Sequence, residues 1–191
     1  SIPIETMLQE WKRPEKLRKA PAPKPGLPSQ SDVERVAKTL VGADHPVIVT
    51  ENIGRDTDGF DALVALAELL SIPVVEGGSA DFSNMPKDHP LHQGFDMGPH
   101  FEAADLVLMV RCRVPWYPPS KRPTNATIVA IDEAPYKGHM VYQSLHADEF
   151  LEGNAVASLE MLADAVRALG VDAAKVDERG AHWRTAHVKL H

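Results

Sequence analysis

Ala103–Glu133 has the sequence AADLVLMVRCRVPWYPPSKRPTNATIVAIDE, and this stretch decides the fold. It contains two mostly apolar runs, Leu106–Val110 and Ala126–Ile131, and each run ends abruptly in polar or proline-rich sequence. Short runs rich in valine and isoleucine and bounded by turn residues are typical of strands buried on both faces of a parallel sheet. Asp132 follows the second run and therefore places a carboxylate at the carboxyl end of a strand, where open α/β sheets bind ligands.

Helical and strand patterns alternate on both sides of this stretch. Before it, the sequence predicts helices over 31–42 and 58–70, capped by Ser31 and Asp58, and strands over 46–50 and 72–75. A long loop covers 80–100, with a short helix at 101–104. After it, 140–144 and 149–152 are candidate strands, and Asn154 caps a helix that Gly170 ends. The alternation predicts a three-layer α/β/α, Rossmann-like domain with a parallel sheet of five to six strands.

The composition divides the chain into three parts. Residues 1–30 hold five prolines between Pro14 and Pro28, so we expect an extended linker and the end of a preceding domain. Residues 31–170 form the central domain. Residues 171–191 are polar and are predicted to be a linker with one helical stretch, leading to a missing domain. A start at Ser1 without methionine suggests a fragment of a longer protein.

Charge and cysteine usage narrow the class of protein. The 191 residues carry a net charge of −7, which argues against a nucleic-acid partner. No apolar stretch reaches the roughly 20 residues of a membrane helix, so we expect no membrane association. Cys112 is the single cysteine, which excludes an internal disulfide and a cysteine-rich zinc site. A cytoplasmic protein is the prediction from these features together.

Candidate binding residues follow the predicted strands. The first strand is followed by TENIGRD, which has one glycine where a dinucleotide fingerprint needs three. The glycines after the second strand are consistent with two roles: they let the backbone come close to a bound phosphate, or they form a turn that ends the strand. Asp132 suits either a ribose hydroxyl or the capping of a turn. If a nucleotide binds, the candidate residues are Glu51, Asn52, Gly77, Gly78, Ser79, Arg111, Arg113 and Asp132.

Other reactive side chains do not form a recognisable catalytic or metal site. Arg111 and Arg113 flank Cys112 and favour its thiolate, but no histidine partner is identifiable. His89 and His92 are too few for zinc, which needs at least three protein ligands. We therefore predict no catalytic residue and no metal ligand in this chain. The proline-framed aromatic pair Trp116-Tyr117 is predicted to contact an absent neighbouring domain or subunit.

Six segments together carry a resemblance to a known family. They are PVIVTENIG, ALAELLSIPVVEGG, DHPLHQGF, AADLVLMVRCRVPWYPP, ATIVAIDEAPY and EGNAVASLEMLADAV. In this order they resemble the central domain of thiamine diphosphate-dependent enzymes, in the acetolactate synthase and benzoylformate decarboxylase group. The resemblance covers about residues 31–169.

The resemblance implies a cofactor that belongs to other domains. In this family a glutamate of the pyrimidine-binding domain activates thiamine diphosphate, and a Gly-Asp-Gly motif of the pyrophosphate-binding domain holds Mg²⁺. This chain contains no Gly-Asp-Gly. The resemblance thus implies that both domains are partners in the same chain, that the parent is a homo-oligomer, and that no cofactor is held by this part.

The family also leaves open whether a nucleotide binds. Some members hold FAD or an ADP-bearing ligand in the central domain, and many hold nothing. This sequence departs from the flavin-binding pattern at Glu51-Asn52 and at Arg111-Cys112-Arg113, where the family usually has glycine. The first hypothesis is a structural domain, non-catalytic on its own, of a 2-oxo acid lyase or carboligase. The alternative is an FAD- or ADP-binding module of the same fold.

Overall fold

The structure is a computed structural model that describes residues 3–10, 12, 15–16, 19–21, 24–78, 80–116, 118–136 and 147–190. Five parallel strands form one sheet in the order β2-β1-β3-β4-β5. The strands are β1 Pro46–Thr50, β2 Val74–Glu76, β3 Leu106–Val110, β4 Thr127–Asp132 and β5 Glu149–Glu152. The helices are α1 Ile4–Met7, α2 Gln30–Gly42, α3 Thr57–Leu70, α4 Gly98–Ala103, α5 Ala155–Leu169 and α6 Ala173–Val188.

Burial on both faces explains why the central strands pair in parallel. All five residues of β1 and all five of β3 are buried. Ile48 and Leu108 lie on the face that packs against α2, α3 and α5. Val49 and Met109 lie on the opposite face, with Phe101 of α4 packed against it. The predicted three-layer α/β/α fold is confirmed, and the part of the chain described here contributes five strands.

Two predicted helix caps and one strand boundary are corrected by the structure. α2 begins earlier than predicted because Ser29, not Ser31, is the N-cap and accepts a hydrogen bond from the Asp32 N–H at 3.2 Å. α3 has Asp56, not Asp58, at its N-cap position, and the Asp56 carboxylate binds Arg111 instead of capping. The second strand is β2, shifted towards its carboxyl end relative to the predicted 72–75.

Several predictions for the second half of the chain are confirmed. Asn154 caps α5, accepting the Ala157 N–H at 2.9 Å. The candidate strand 149–152 is β5, and a short helix, α4, precedes β3, beginning a few residues earlier than predicted with Pro99 in its first turn. The candidate strand 140–144 lies outside the described residues. In the described ranges, no helix has both the length and the apolar character that a membrane crossing requires.

Hydrogen bonds fasten the segments on both sides of the central domain, at Gly26 and in α6. The Asn154 N–H donates to the Gly26 carbonyl at 2.7 Å, so the end of the proline-rich segment crosses the turn between β5 and α5. The predicted helical stretch in 171–191 is α6. The Gln93 side chain donates to the Trp183 carbonyl of α6 at 3.1 Å, and His187 Nδ1 lies 2.8 Å from the His92 carbonyl oxygen. The polar helix α6 is therefore held on the domain by these hydrogen bonds together with Val176 and Trp183, which pack against the core.

We expect Gly54→Ala to destabilise the chain by about 3 kcal/mol, the upper end of the usual overpacking range. A Cβ at position 54 would lie 1.9 Å from the Ser83 backbone oxygen, which cannot rotate away. Urea unfolding measures the change. Gly42→Ala is the control, because a Cβ there meets nothing within 4 Å. Equal stabilities for the two variants would contradict this contact.

Candidate functional site at the carboxyl end of the sheet

The sheet register gathers the carboxyl ends of four strands at one edge. Thr50 of β1 pairs with Glu76 of β2 and with Val110 of β3, and Val110 pairs with Ile131 of β4. The residues that follow these strands are therefore neighbours in space although they are far apart in sequence. Seven of the eight predicted binding residues lie in the described part of this edge; Ser79 lies outside the described residues.

Glu51 is the most buried charged side chain of this edge, with an exposed fraction of 0%. Its Oε2 accepts the backbone N–H of Arg113 at 2.5 Å and that of Val114 at 3.2 Å. The Arg113 guanidinium nitrogen Nε lies 4.0 Å from the same oxygen. A buried carboxylate is tolerated when hydrogen bonds and positive charge compensate its lost hydration. Glu51 thereby fastens the loop after β3 to the end of β1.

Gly77 provides the space in which the Glu51 side chain lies. A Cβ at position 77 would be 2.5 Å from Glu51 Cγ and 2.6 Å from its Oε1. The Gly77 N–H is already used, since it donates to the Thr50 carbonyl at 2.9 Å. Gly78 is exposed, and a Cβ there would meet nothing within 4 Å. Phosphate contact by these glycines stays a prediction, whereas the packing role of Gly77 is visible in the structure.

Arg111 connects three elements at the same edge. Its Nε lies 3.1 Å from both carboxylate oxygens of Glu133, and its Nη1 lies 2.5 Å from Asp56 Oδ2. Glu133 also accepts the Ala155 N–H at the start of α5 at 3.2 Å. Asn52 Nδ2 lies 3.5 Å from the Arg111 carbonyl oxygen, the outer limit of a hydrogen bond. Arg111 thus joins the end of β3 to the end of β4 and to the start of α3. Glu133 extends this connection to the start of α5.

Charge pairing outweighs burial in the Arg111–Glu133 pair. Burial lowers the pKa of the Arg111 guanidinium, but its bonds to Glu133 and Asp56 reverse the effect and the pKa lies above its ordinary value. Burial raises the pKa of the Glu133 carboxyl, but Arg111 and the Ala155 N–H hold that pKa below its ordinary value. Both groups therefore stay ionised around neutral pH.

Arg111 also has a backbone conformation that favours glycine. Its φ is 46°, and a non-glycine residue in this region carries strain of about 1–3 kcal/mol. Glycine adopts this conformation without that strain, because it has no Cβ. The ion pairs with Glu133 and Asp56 offset the strain of the arginine here.

Asp132 caps a turn. Its Oδ1 accepts the Ala134 N–H at 2.8 Å, and the side chain is buried at the end of β4. Of the two roles that the sequence left open, turn capping is the one the structure displays. Contact with a ribose hydroxyl stays a prediction.

The sequence missed the network around Asn84 and Glu76. Asn84 Nδ2 lies 3.1 Å from the Glu51 carbonyl oxygen and 3.2 Å from Glu76 Oε2, and its Oδ1 accepts the Gly54 N–H at 2.9 Å. Glu76 also contacts Lys87, and its Oε1 lies 3.4 Å from His92 Nε2. The length of the loop 80–100 was the only feature of the sequence that indicated a functional or structural role for this segment. The individual residues could not be predicted, because the polar residues of the loop follow no regular spacing.

Cys112 and Trp116 belong to the interior of the domain. Cys112 Sγ lies 3.2 Å from the Val49 carbonyl oxygen and is buried. Trp116 is 4% exposed and packs edge-to-face on Phe101 of α4, with ring centroids 6.0 Å apart. The prediction that Trp116 contacts another domain is therefore wrong, because its own α4 covers it. Tyr117 lies outside the described residues.

A cavity of about 750 Å³ lies beside this edge, between α4 and the loop after β3. Phe101 and Trp116 contribute aromatic surface, and Val114 and Gly78 border the side nearest Glu51. The charged lining residues are Lys121, Arg122, Asp96 and Glu102.

Comparison with known proteins identifies the family. The family model described as thiamine pyrophosphate enzyme, central domain, matches residues 33–162. The chain belongs to this family. The match begins within α2, ends within α5 and includes all five strands. No curated protein sequence matches the chain.

Two solved structures share the fold of this central domain. One is a Mycobacterium smegmatis protein assigned to the thiamin diphosphate-dependent enzymes, with 23% identity and a TM-score of 0.62 over 81% of this chain and 30% of that chain. The other is benzoylformate decarboxylase from Polynucleobacter necessarius, with 18% identity and a TM-score of 0.65 over 82% of this chain and 31% of that chain. The central domain thus spans less than a third of either solved chain.

The residues described here do not fit a bound thiamine diphosphate–Mg²⁺ group. Mg²⁺ is bound through carboxylates and phosphate oxygens. Within the described ranges, no three His, Cys, Asp or Glu side chains come together as metal ligands. The carboxylates of Glu51 and Glu133 are already occupied by N–H groups and by arginine.

We expect Gly77→Ala to destabilise the chain by about 2 kcal/mol, because the added methyl group displaces the buried Glu51 side chain. In a Glu51→Ala background the same substitution should cost at least about 1 kcal/mol less. A double-mutant cycle by urea unfolding measures this coupling. Gly78→Ala, whose Cβ has open space, is the matched control. Equal costs of Gly77→Ala in both backgrounds would refute the packing role.

We expect acid to remove the stabilisation that Glu76 provides. Burial raises the pKa of this carboxyl, but the nearby His92 and the hydrogen bonds from Lys87 and Asn84 outweigh burial and hold the pKa below its ordinary 4.5. The charged form therefore stabilises the fold above about pH 4.5, and this contribution disappears as the pH falls through the lower, folded-state pKa.

Thermal unfolding between pH 3 and pH 7 tests this expectation. Glu76→Gln should lower the melting temperature most at neutral pH, and its difference from wild type should shrink in acid. Glu102→Gln, an exposed side chain of α4, is the control. A Glu76→Gln difference that stays constant with pH would show that the charge of Glu76 does not matter.

Proposed function

We propose that this chain is the central, non-catalytic domain of a thiamine diphosphate- and Mg²⁺-dependent enzyme, a lyase or carboligase that acts on 2-oxo acids. The family match over residues 33–162 carries this proposal. Benzoylformate, the substrate in the name of one structural relative, is itself a 2-oxo acid. The parent would be acetolactate synthase-like and cytoplasmic.

The proposed role is to hold the flanking domains in a fixed relation. The Gly26 and α6 contacts fasten both ends of the central domain, so chain segments that continue from them would leave from fixed points. The edge of the sheet is held by Glu51 and Arg111, which join loops from separate elements. The partners would be the pyrimidine- and pyrophosphate-binding domains of the same chain, within a homo-oligomer.

The nucleotide-binding alternative has one favourable observation. The cavity beside the edge has a volume of about 750 Å³ and combines aromatic surface with Lys121 and Arg122, which matches the usual size and lining of small-molecule pockets. The Glu51 carboxylate opposes this alternative, because it brings negative charge to the N–H groups that a phosphate would use. A scaffold without FAD or ADP is therefore the function that we favour.

Titration of this chain with FAD, ADP and NAD distinguishes the two functions. We expect no saturable binding below about 1 mM by calorimetry, since a phosphate would have to displace the buried Glu51 carboxylate. Saturable binding of any of the three at micromolar concentration would favour the nucleotide-binding module.

Activity of the longer protein tests the parent enzyme. The full-length protein, supplied with thiamine diphosphate and Mg²⁺, should consume 2-oxo acids such as pyruvate or benzoylformate, and the present chain alone should not. Turnover by the present chain, or none by the full-length protein over a panel of 2-oxo acids, would overturn the proposal.

A further inference from the structure

Two consecutive backbone N–H groups after β3 point at one oxygen atom. The Arg113 N–H and the Val114 N–H both donate to Glu51 Oε2, at 2.5 and 3.2 Å, and the Val114 N–H also lies within reach of Oε1, at 3.3 Å. Successive N–H groups that converge in this way form an anion-binding concavity, the arrangement that proteins use for phosphate. The adjoining Arg113 guanidinium adds positive charge, with Nε 4.0 Å from Oε2.

The occupant of this concavity comes from a different strand. Glu51 follows β1 and lies 62 residues before Arg113 in the sequence, and its carboxylate is completely buried. Gly77 leaves the space that its side chain fills. A buried carboxylate therefore occupies these N–H groups, and a glycine makes room for it.

We propose that the Arg113 and Val114 N–H groups form an oxyanion-binding site that the protein fills with its own Glu51 carboxylate. The ligand class of the site is a small oxyanion, a carboxylate or a phosphate. Glu51 is an internal ligand that competes with any external oxyanion.

A cavity of about 750 Å³ adjoins the site, because Val114 and Gly78 are among its lining residues. Glu51 is not among them and is completely buried, so we expect an external anion to reach the N–H groups only when the Glu51 side chain is removed. Lys121 and Arg122 line the same cavity and attract anions, whereas Asp96 and Glu102 oppose them. The size of the cavity admits a nucleotide as well as inorganic phosphate.

Chemical rescue of Glu51→Ala tests the proposal. In chloride the variant should melt at a lower temperature than wild type, because two half-buried N–H groups lose their carboxylate acceptor. Acetate or inorganic phosphate at tens of millimolar, compared with chloride at equal ionic strength, should raise its melting temperature by about 3 °C or more through binding to the folded state. Wild type should show no anion-specific shift.

Glu51→Gln is the matched control. Its amide has the shape of the carboxylate and still fills the site, so acetate and phosphate should not stabilise this variant. If Glu51→Gln and wild type were stabilised as much as Glu51→Ala, the anions would act elsewhere and the proposal would fail. A folded Glu51→Ala that responds to chloride, acetate and phosphate equally would also overturn it.

Two further measurements locate the anion and identify its source. Amide resonances of Arg113 and Val114 in Glu51→Ala should shift on addition of phosphate; shifts confined to other residues would overturn the proposal. ADP should match or exceed inorganic phosphate, and adenosine should have no effect. A stronger response to ADP identifies a nucleotide phosphate as the preferred source, an equal response identifies free phosphate, and rescue by adenosine contradicts an oxyanion site.

If Glu51→Ala does not fold in chloride, refolding replaces melting as the measurement. Dilution from urea into phosphate or acetate should recover native circular dichroism, and dilution into chloride should not. Failure to recover in every anion, while Glu51→Gln refolds, would overturn the proposal.

Discussion

Burial of β1 and β3 on both faces is the constraint from which the rest of the structure follows. Every residue of these strands is buried, so their backbone groups can be satisfied only by neighbouring strands. Parallel pairing through helical crossovers achieves this, and it brings the carboxyl ends of β1 to β4 to one edge. The carboxylates that follow the strands and are buried, among them Glu51 and Glu76, then have to be satisfied by groups of neighbouring loops.

At this edge of the sheet, charged side chains are paired with groups of the same chain. Glu51 receives two backbone N–H groups, and Arg111 binds two carboxylates. Each pair joins elements that are distant in sequence, so the charges that the fold concentrates here also hold its loops together.

The fold could be predicted because its signals are local, whereas the site depends on distant contacts. The runs Leu106–Val110 and Thr127–Asp132 indicate buried strands by themselves, and segments in fixed order indicated the family. Glu51 could be named as a residue at a strand end, but not as the ligand of N–H groups 62 residues away. The polar helix α6 shows the same limit, since its contacts combine single hydrogen bonds, the Lys175–Asp44 ion pair and two partly buried side chains, Val176 and Trp183, and the sequence has no continuous apolar stripe there.

Arg111 and Glu51 both stabilise the loop that follows β3. A positive φ at Arg111 ends the extended backbone of β3, and two residues later the Arg113 N–H meets the Glu51 carboxylate. Glycine would allow that turn without strain but would leave Glu133 and Asp56 without their shared cation. The arginine is strained at this position, but its ion pairs join β4 and α3 to the turn. Glu51 binds the other side of the same loop. Arg111 and Glu51 therefore stabilise one loop from opposite sides.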